Sequence, residues 1–236
     1  MSTVDLSKIK GIIFDLDGVI YDVGPSIRKA VQDGVEKYKI VVDLDGALQE
    51  IAHLLEDVQN YPLPQIILNS YNLLKDTNFF QGLSYFKKMR VVVFLFNQFN
   101  EYRKNAKLFD EIKDILLKLS KKMKLAVLTN NKSGYAEEIL EKFGIDKYIN
   151  TIIGFNDVSE NKPSPEGILK ILNKWKLKDE EVVFVGDMTS DIIAGKAANV
   201  TTVSIATGLA KKEDLKELKP DVLINEPKEL KTVFNL

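Results

Sequence analysis

Six short apolar runs punctuate this chain: 11–14, 125–128, 151–153, 182–185, 203–205 and 222–224. They carry apolar residues on both faces. A strand built from them must be covered on each side, which is the condition of a parallel sheet between helical layers. The stretches between them have helical periodicity. Ile112, Ile115, Leu116 and Leu119 form one stripe over 108–119, and Ile139, Leu140 and Phe143 form another over 136–143. Ser164-Pro165-Glu166 predicts a helix start, with Ser164 as N-cap, Pro165 at the first helical position and Ile168, Leu169, Ile171 and Leu172 continuing the stripe. Strand and helix alternation from about residue 108 predicts an α/β fold: a doubly wound, mostly parallel three-layer core.

The first run stands apart from this alternation. From about 24 to 104 the pattern is helical throughout. Ile27, Ala30, Val31 and Val35 make one stripe, Leu48, Ile51, Ala52 and Leu55 a second, and Ile66, Ile67, Tyr71 and Leu74 a third. A fourth helix is expected from Leu83 into the nineties, taking in the apolar run 91–96. The simplest organisation is a core of residues 1–22 and 101–236, interrupted by an all-helical insertion at 23–100. A chain of 236 residues suits one large domain or two modest ones.

The polar residues fall at strand ends. Asp15 and Asp17 close the first run, Thr129-Asn130 the second and Gly186-Asp187 the fourth, while Lys162 lies in the loop after the third. Open α/β sheets bind ligands outside the carboxyl ends of their strands, so these groups meet on one edge. Two carboxylates one residue apart repel by about 4 kcal/mol at ~4 Å and an effective dielectric of ~20, so a cation, a shared proton or both must offset them. Asp15, Asp17 and Asp187 are hard oxygen donors, with no His or Cys in the set, and suit Mg²⁺ better than Zn²⁺. Thr129 and Lys162 add a hydroxyl and a positive charge suited to a phosphoryl group. A carboxylate nucleophile beside a second carboxylate acting as acid and base is a known route through an aspartyl-phosphate. Singly, Asp17-Gly18 reads as a turn and Asp187 as a helix cap. Placed together at successive strand ends, they point to chemistry.

Asp191 follows Asp187 at i+4, which puts both on one face if a helix starts nearby. His53 is the only histidine and reads as structural. The basic run Lys118, Lys121, Lys122 and Lys124 fits a helix C-terminus. Net charge is −1, from 33 basic and 34 acidic residues, giving no electrostatic case for nucleic acid or anionic lipid. Cys is absent, which excludes disulfides and thiolate chemistry and fits a reducing cytoplasm. The N-terminus lacks a basic leader pattern, and the run 91–96 is too short to span a bilayer. No membrane association is expected.

The motifs resemble those of the haloacid dehalogenase (HAD) superfamily. Phe14-Asp15-Leu16-Asp17-Gly18-Val19-Ile20 is similar to its first motif, Leu128-Thr129-Asn130 to the second, Asn161-Lys162-Pro163 to the third and Gly186-Asp187-Met188-Thr189-Ser190-Asp191 to the fourth. The helical insertion resembles the cap of the phosphoglycolate phosphatase-like branch. The resemblance implies that Asp15 is the nucleophile, and that Asp17 protonates the leaving alcohol and later activates water. Mg²⁺ would be held by Asp15, the Asp17 carbonyl and Asp187, with Asp191 in support. Thr129 and Lys162, with backbone donors near Gly18 and Asn130, would hold the phosphoryl group, and Lys162 would also orient Asp15. Asn199 departs from the Gly that such sequences often carry, with no chemical consequence expected.

The expectation is a cytoplasmic, Mg²⁺-dependent phosphomonoester hydrolase of a small phosphorylated metabolite, phosphoglycolate-like or a sugar phosphate. A sugar phosphomutase of the same fold and a non-catalytic phosphorylated receiver are the alternatives. Monomer and homodimer both stay open. Tyr21, Arg28, His53, Gln59, Tyr61 and Arg103 are the polar candidates for specificity.

Overall fold

Strand β1 (Gly11–Phe14) is the pivot of the sheet. The computed structural model describes residues 7–44, 46–48, 50–51, 80–208 and 210–236. The chain continues through β2 (Tyr21–Asp22), α1 (Gly24–Tyr38), α2 (Tyr85–Arg103), β3 (Lys107–Leu108), α3 (Ile112–Ser120), β4 (Lys124–Leu128) and α4 (Ser133–Lys142). It ends with β5 (Thr151–Ile153), α5 (Glu166–Trp175), β6 (Val182–Gly186), α6 (Thr189–Ala197), β7 (Thr201–Ile205), α7 (Lys212–Glu217), β8 (Val222–Ile224) and α8 (Leu230–Val233).

Six strands form one sheet in the order β5-β4-β1-β6-β7-β8. All its pairings are parallel, with Ile12 opposite Leu125 on one side and Val183 on the other. The chain winds outward through β4 and β5, then returns across β1 to β6, β7 and β8. The strand order therefore reverses at β1, and the crevice between the ends of β1, β4 and β6 is where such a sheet presents its ligand site.

Burial on both faces explains the unbroken apolar runs: β1 and β6 are buried at every position. Ile13, Ala126, Leu128, Ile168, Ile171, Leu172, Trp175, Val182 and Phe184 share one core cluster. Trp175 packs there and donates from Nε1 to Thr151 Oγ1 at 3.2 Å, which satisfies its one polar atom. Gly11 is small because a Cβ there would strike the Trp175 ring.

Two helix starts differ from expectation. The stripe over 108–119 becomes helix only at Ile112, because Leu108 belongs to β3 and Glu111 takes a left-handed φ of 65°. Helix α5 begins at Glu166, with Pro165 rather than Ser164 at the cap, although Ser164 Oγ still accepts from Glu166 N at 3.3 Å. Asn199 takes φ 57° just past α6, a left-handed end that Asn tolerates nearly as Gly does.

The chain divides into two compact units, Met1–Asp22 with Leu108–Leu236, and Val23–Lys107. The return falls at Leu108 because α2 runs to Arg103. In the second unit α1 and α2 pack together, burying Ile27, Ala30 and Val31 against a face that includes Val91, Val92 and Leu95. The run 91–96 is thus helical despite its β-branched residues. Leu48 and Ile51 are buried, whereas Ala52, Leu55, the third stripe, His53, Gln59 and Tyr61 lie outside the described residues. Among the described residues no helix is long and apolar enough to cross a membrane.

Candidate active site

Asp15 extends β1 by one residue. Its N–H donates to Val185 O at 2.8 Å, so the carboxylate is fixed at the sheet edge between β1 and β6. Asp15 Oδ1 accepts from Leu16 N at 2.7 Å, and Oδ2 lies 3.1 Å from Lys162 Nζ. Lys162 also donates to Asp191 Oδ1 at 2.7 Å. All three side chains are buried, and Asp187 is buried beside them.

Burial pushes the Asp15 carboxyl up, Lys162 pulls it back, and Asp191 and Asp17 push it up again, leaving it at about 7 against an ordinary 3.8. For Lys162, burial alone would favour the neutral amine, but Asp15 and Asp191 outweigh it and hold its pKa above the ordinary value. The lysine is therefore a permanent cation, shared between two acids.

Asp191 sits in the first turn of α6, while Asp187 precedes the helix. Their i+4 spacing is thus a capping relation rather than one helix face. Asp191 Oδ2 accepts from Asp187 N at 3.0 Å and from Met188 N at 2.9 Å. Gly186 is required next to it, since a Cβ there would collide with the Asp191 carboxyl. Asp191 accordingly fixes the loop that carries Asp187 and also anchors Lys162.

One carboxylate oxygen from each of Asp15, Asp187 and Asp191 lies within 4.8 Å of the others. The set is all oxygen and carries no His or Cys, which suits a hard divalent cation. A cradle of glycine surrounds it: a Cβ at Gly18 or at Gly208 would strike Asp187 Oδ2. Gly18 also has φ +78°, a conformation that only glycine takes freely. These residues fit a small metal ion held against bare glycine backbone. The Asp17 side chain stands outside this cluster and accepts instead from Asn131 Nδ2 at 2.6 Å.

The second strand end delivers three residues. Thr129 N continues the β4–β5 ladder by donating to Ile153 O at 3.0 Å, and Thr129 Oγ1 accepts from Asn131 N at 3.1 Å. Asn130 donates from Nδ2 to the Lys162 carbonyl at 3.4 Å, tying this loop to the one that carries the lysine. The structure thus gathers Asp15, Asp17, Gly18, Thr129, Asn130, Lys162, Asp187 and Asp191 at the reversal of the sheet.

Sequence reasoning missed Asn131, Thr207 and Gly208. Asn131 is the second half of an Asn-Asn pair of which only the first was weighed. Thr207 follows β7, so the strand-end rule that picked out Thr129 extends to it. Its Oγ1 donates to the Gly18 carbonyl at 2.7 Å and holds the turn after Asp17.

A family model described as haloacid dehalogenase-like hydrolase matches residues 12–205, from β1 through β7. The chain belongs to this family. Full-length relatives of this haloacid dehalogenase-like hydrolase include a protein of Caldanaerobacter subterraneus named as a pyrophosphatase, PpaX, 31% identical over 93% of this chain and 91% of its own length. Phosphoglycolate phosphatase of Salmonella choleraesuis is 26% identical over 98% of this chain and 94% of its own. Among solved structures, a haloacid dehalogenase-like hydrolase of Streptococcus pneumoniae has the same fold, with a TM-score of 0.69 over 97% of this chain and 99% of its own at 20% identity. Within the family the chain is a phosphatase-type enzyme.

Proposed function

We propose that this enzyme is a Mg²⁺-dependent phosphomonoester hydrolase acting on a small phosphorylated metabolite, phosphoglycolate-like or a sugar phosphate, through an aspartyl-phosphate. The observation that carries this reading is the buried Asp15, 3.1 Å from Lys162, with a second carboxylate two residues along the chain that stands outside the acidic cluster. Asp15, Asp187 and the Asp17 carbonyl would hold Mg²⁺, with Asp191 in support. When bound, the ion supplies positive charge against the phosphoryl oxygens and the Asp15 carboxylate.

Thr129 Oγ1, Lys162 Nζ and the amides near Gly18 and Asn130 receive the phosphoryl oxygens and orient phosphorus toward Asp15. An Asp15 oxygen forms the new bond to phosphorus. The bond from phosphorus to the leaving oxygen breaks, its electron pair stays on that oxygen, and the oxygen takes a proton from Asp17. Water then attacks phosphorus, gives its proton to Asp17 and displaces Asp15, releasing inorganic phosphate. Residues 23–107 act as the cap that excludes water and selects the substrate. The absence of Cys supports work in a reducing cytoplasm.

A second reading, inorganic pyrophosphate as substrate, is favoured by the name of the 31% identical relative. The same residues serve it, with phosphate as leaving group. Assays with 4-nitrophenyl phosphate, phosphoglycolate, glucose phosphates and pyrophosphate, with and without Mg²⁺, test both readings. Phosphate release that needs Mg²⁺ and is abolished by Asp15→Asn is expected. Turnover that survives Asp15→Asn rules out the covalent route, and transfer to a hexose phosphate in place of phosphate release overturns hydrolysis.

A further inference from the structure

Asn131 is buried at the end of β4, and its backbone is held on both sides. Its N–H donates to Thr129 Oγ1 at 3.1 Å, and its carbonyl accepts from Phe155 N at 2.9 Å. Gly154 passes so close to that carbonyl that a Cβ would clash. A side chain on so fixed a backbone is a rigid donor. It spends its carboxamide on a residue 114 positions away, with Nδ2 2.6 Å from Asp17 Oδ2. Asp17 itself is only half-buried, and its carboxylate turns about two side-chain bonds, so a fixed donor on Oδ2 restricts its orientation.

We infer that Asn131 is a positioning residue for Asp17, its amide holding the carboxyl by Oδ2 in the orientation that both proton transfers use. This rests on the phosphohydrolase reading above. The Nδ2 group only donates, so Oδ2 accepts from it whether Asp17 is charged or neutral. Asp17 gives its proton to the leaving oxygen as the P–O bond breaks. In the second half-reaction it takes a proton from water as the water oxygen bonds to phosphorus and Asp15 leaves. The carboxyl, held at one place, returns to its starting state in each cycle.

Proton donation matters most for a poor leaving group and least for one that departs as a stable anion. The test compares kcat/KM for phenyl phosphate and 2,4-dinitrophenyl phosphate in the wild type, Asn131→Ala and Asn131→Leu, the last filling the Asn volume without a donor. General acid catalysis contributes about 10²–10⁴-fold, so mispositioning should cost phenyl phosphate at least about tenfold more than dinitrophenyl phosphate. Asp17→Asn should show the same selectivity more strongly. A second readout needs no turnover: the Asn131 carboxamide NH₂ resonance in metal-free protein should shift in Asp17→Ala.

Equal losses on both substrates, no loss on either, or an NH₂ resonance indifferent to Asp17 overturn the positioning role. In those cases wild-type turnover and its loss in Asp15→Asn leave the phosphohydrolase reading standing. A wild type that hydrolyses neither ester with Mg²⁺ overturns both. Near-ultraviolet circular dichroism checks folding, and if Asn131→Ala loses the native spectrum, Asn131→Leu and the resonance decide.

Discussion

Lys162 Nζ lies 3.1 Å from Asp15 Oδ2 in the interior, yet it does not neutralise Asp15, because the same ammonium is 2.7 Å from Asp191. One cation serves two acids, with Asp17 and Asp187 close by. The burial and acidic surroundings of Asp15 therefore outweigh the lysine and leave its carboxyl at about 7. A carboxyl raised above its unfolded value of 3.8 binds more protons in the folded state. Metal-free stability should then fall as pH rises through 4 to 7 and stay reduced above that window.

Asp15→Asn removes that cost while Lys162 keeps Asp191 as partner. The variant should melt above the wild type in metal-free buffer at pH 8, by a margin worth a few kcal/mol, and the margin should close toward pH 4. Thermal melts in chelator across this range measure it. A variant that melts lower at pH 8 contradicts the shared-cation account.

Lys162→Ala acts in the opposite direction. It leaves Asp15 and Asp191 buried without their shared cation, a change that costs about 3–5 kcal/mol when one partner of a buried pair is lost. Urea unfolding should show this, and turnover should disappear with it. The double variant Lys162→Ala with Asp191→Asn should recover part of the stability but no activity.

Glu166 gives a separate pH signal. Its carboxylate accepts from Ser159 N and Glu160 N, both at 2.9 Å, and from Lys170, which together hold its pKa at about 2 against 4.5. A depressed carboxyl stabilises the fold above the unfolded value, and the benefit is lost as pH falls from 4.5 to 2. Glu166→Gln should therefore melt below the wild type at pH 8 and show a flatter acid limb between pH 4.5 and 2, where the difference between the two proteins closes. Parallel melts of the two proteins decide it, and identical acid limbs would count against it.

The sheet and the first four motifs were legible because two-faced burial writes itself into sequence as uninterrupted apolar runs, and chemistry in such sheets sits at strand ends. Asp15, Thr129 and Asp187 follow from that rule alone. Asn131 and Thr207 obey it equally, but an amide and a hydroxyl beside stronger signals read as loop residues until the hydrogen bonds to Asp17 and Gly18 are seen. The role of Asp191 shifted for a geometric reason. Its i+4 spacing from Asp187 suggested a shared helix face, whereas the helix begins at Thr189 and Asp191 caps it. The start of α3 was misplaced because the left-handed turn at Glu111 carries no glycine to announce it.

Gly208 offers the sharpest test of the metal cradle, since it lies far from the first motif in sequence yet abuts Asp187. A Cβ there would run into Asp187 Oδ2, as it would at Gly18. Gly18 also needs its φ of +78°, so a substitution there mixes backbone strain with the collision. No such left-handed φ is required at Gly208, and Gly208→Ala therefore isolates the displacement of the carboxylate. Mg²⁺ affinity by isothermal titration should fall about tenfold or more, the scale seen when groups supporting a metal ligand are disturbed. The melting temperature in chelator should change much less than it does in Lys162→Ala. Unchanged Mg²⁺ affinity in Gly208→Ala would remove Asp187 from the metal site.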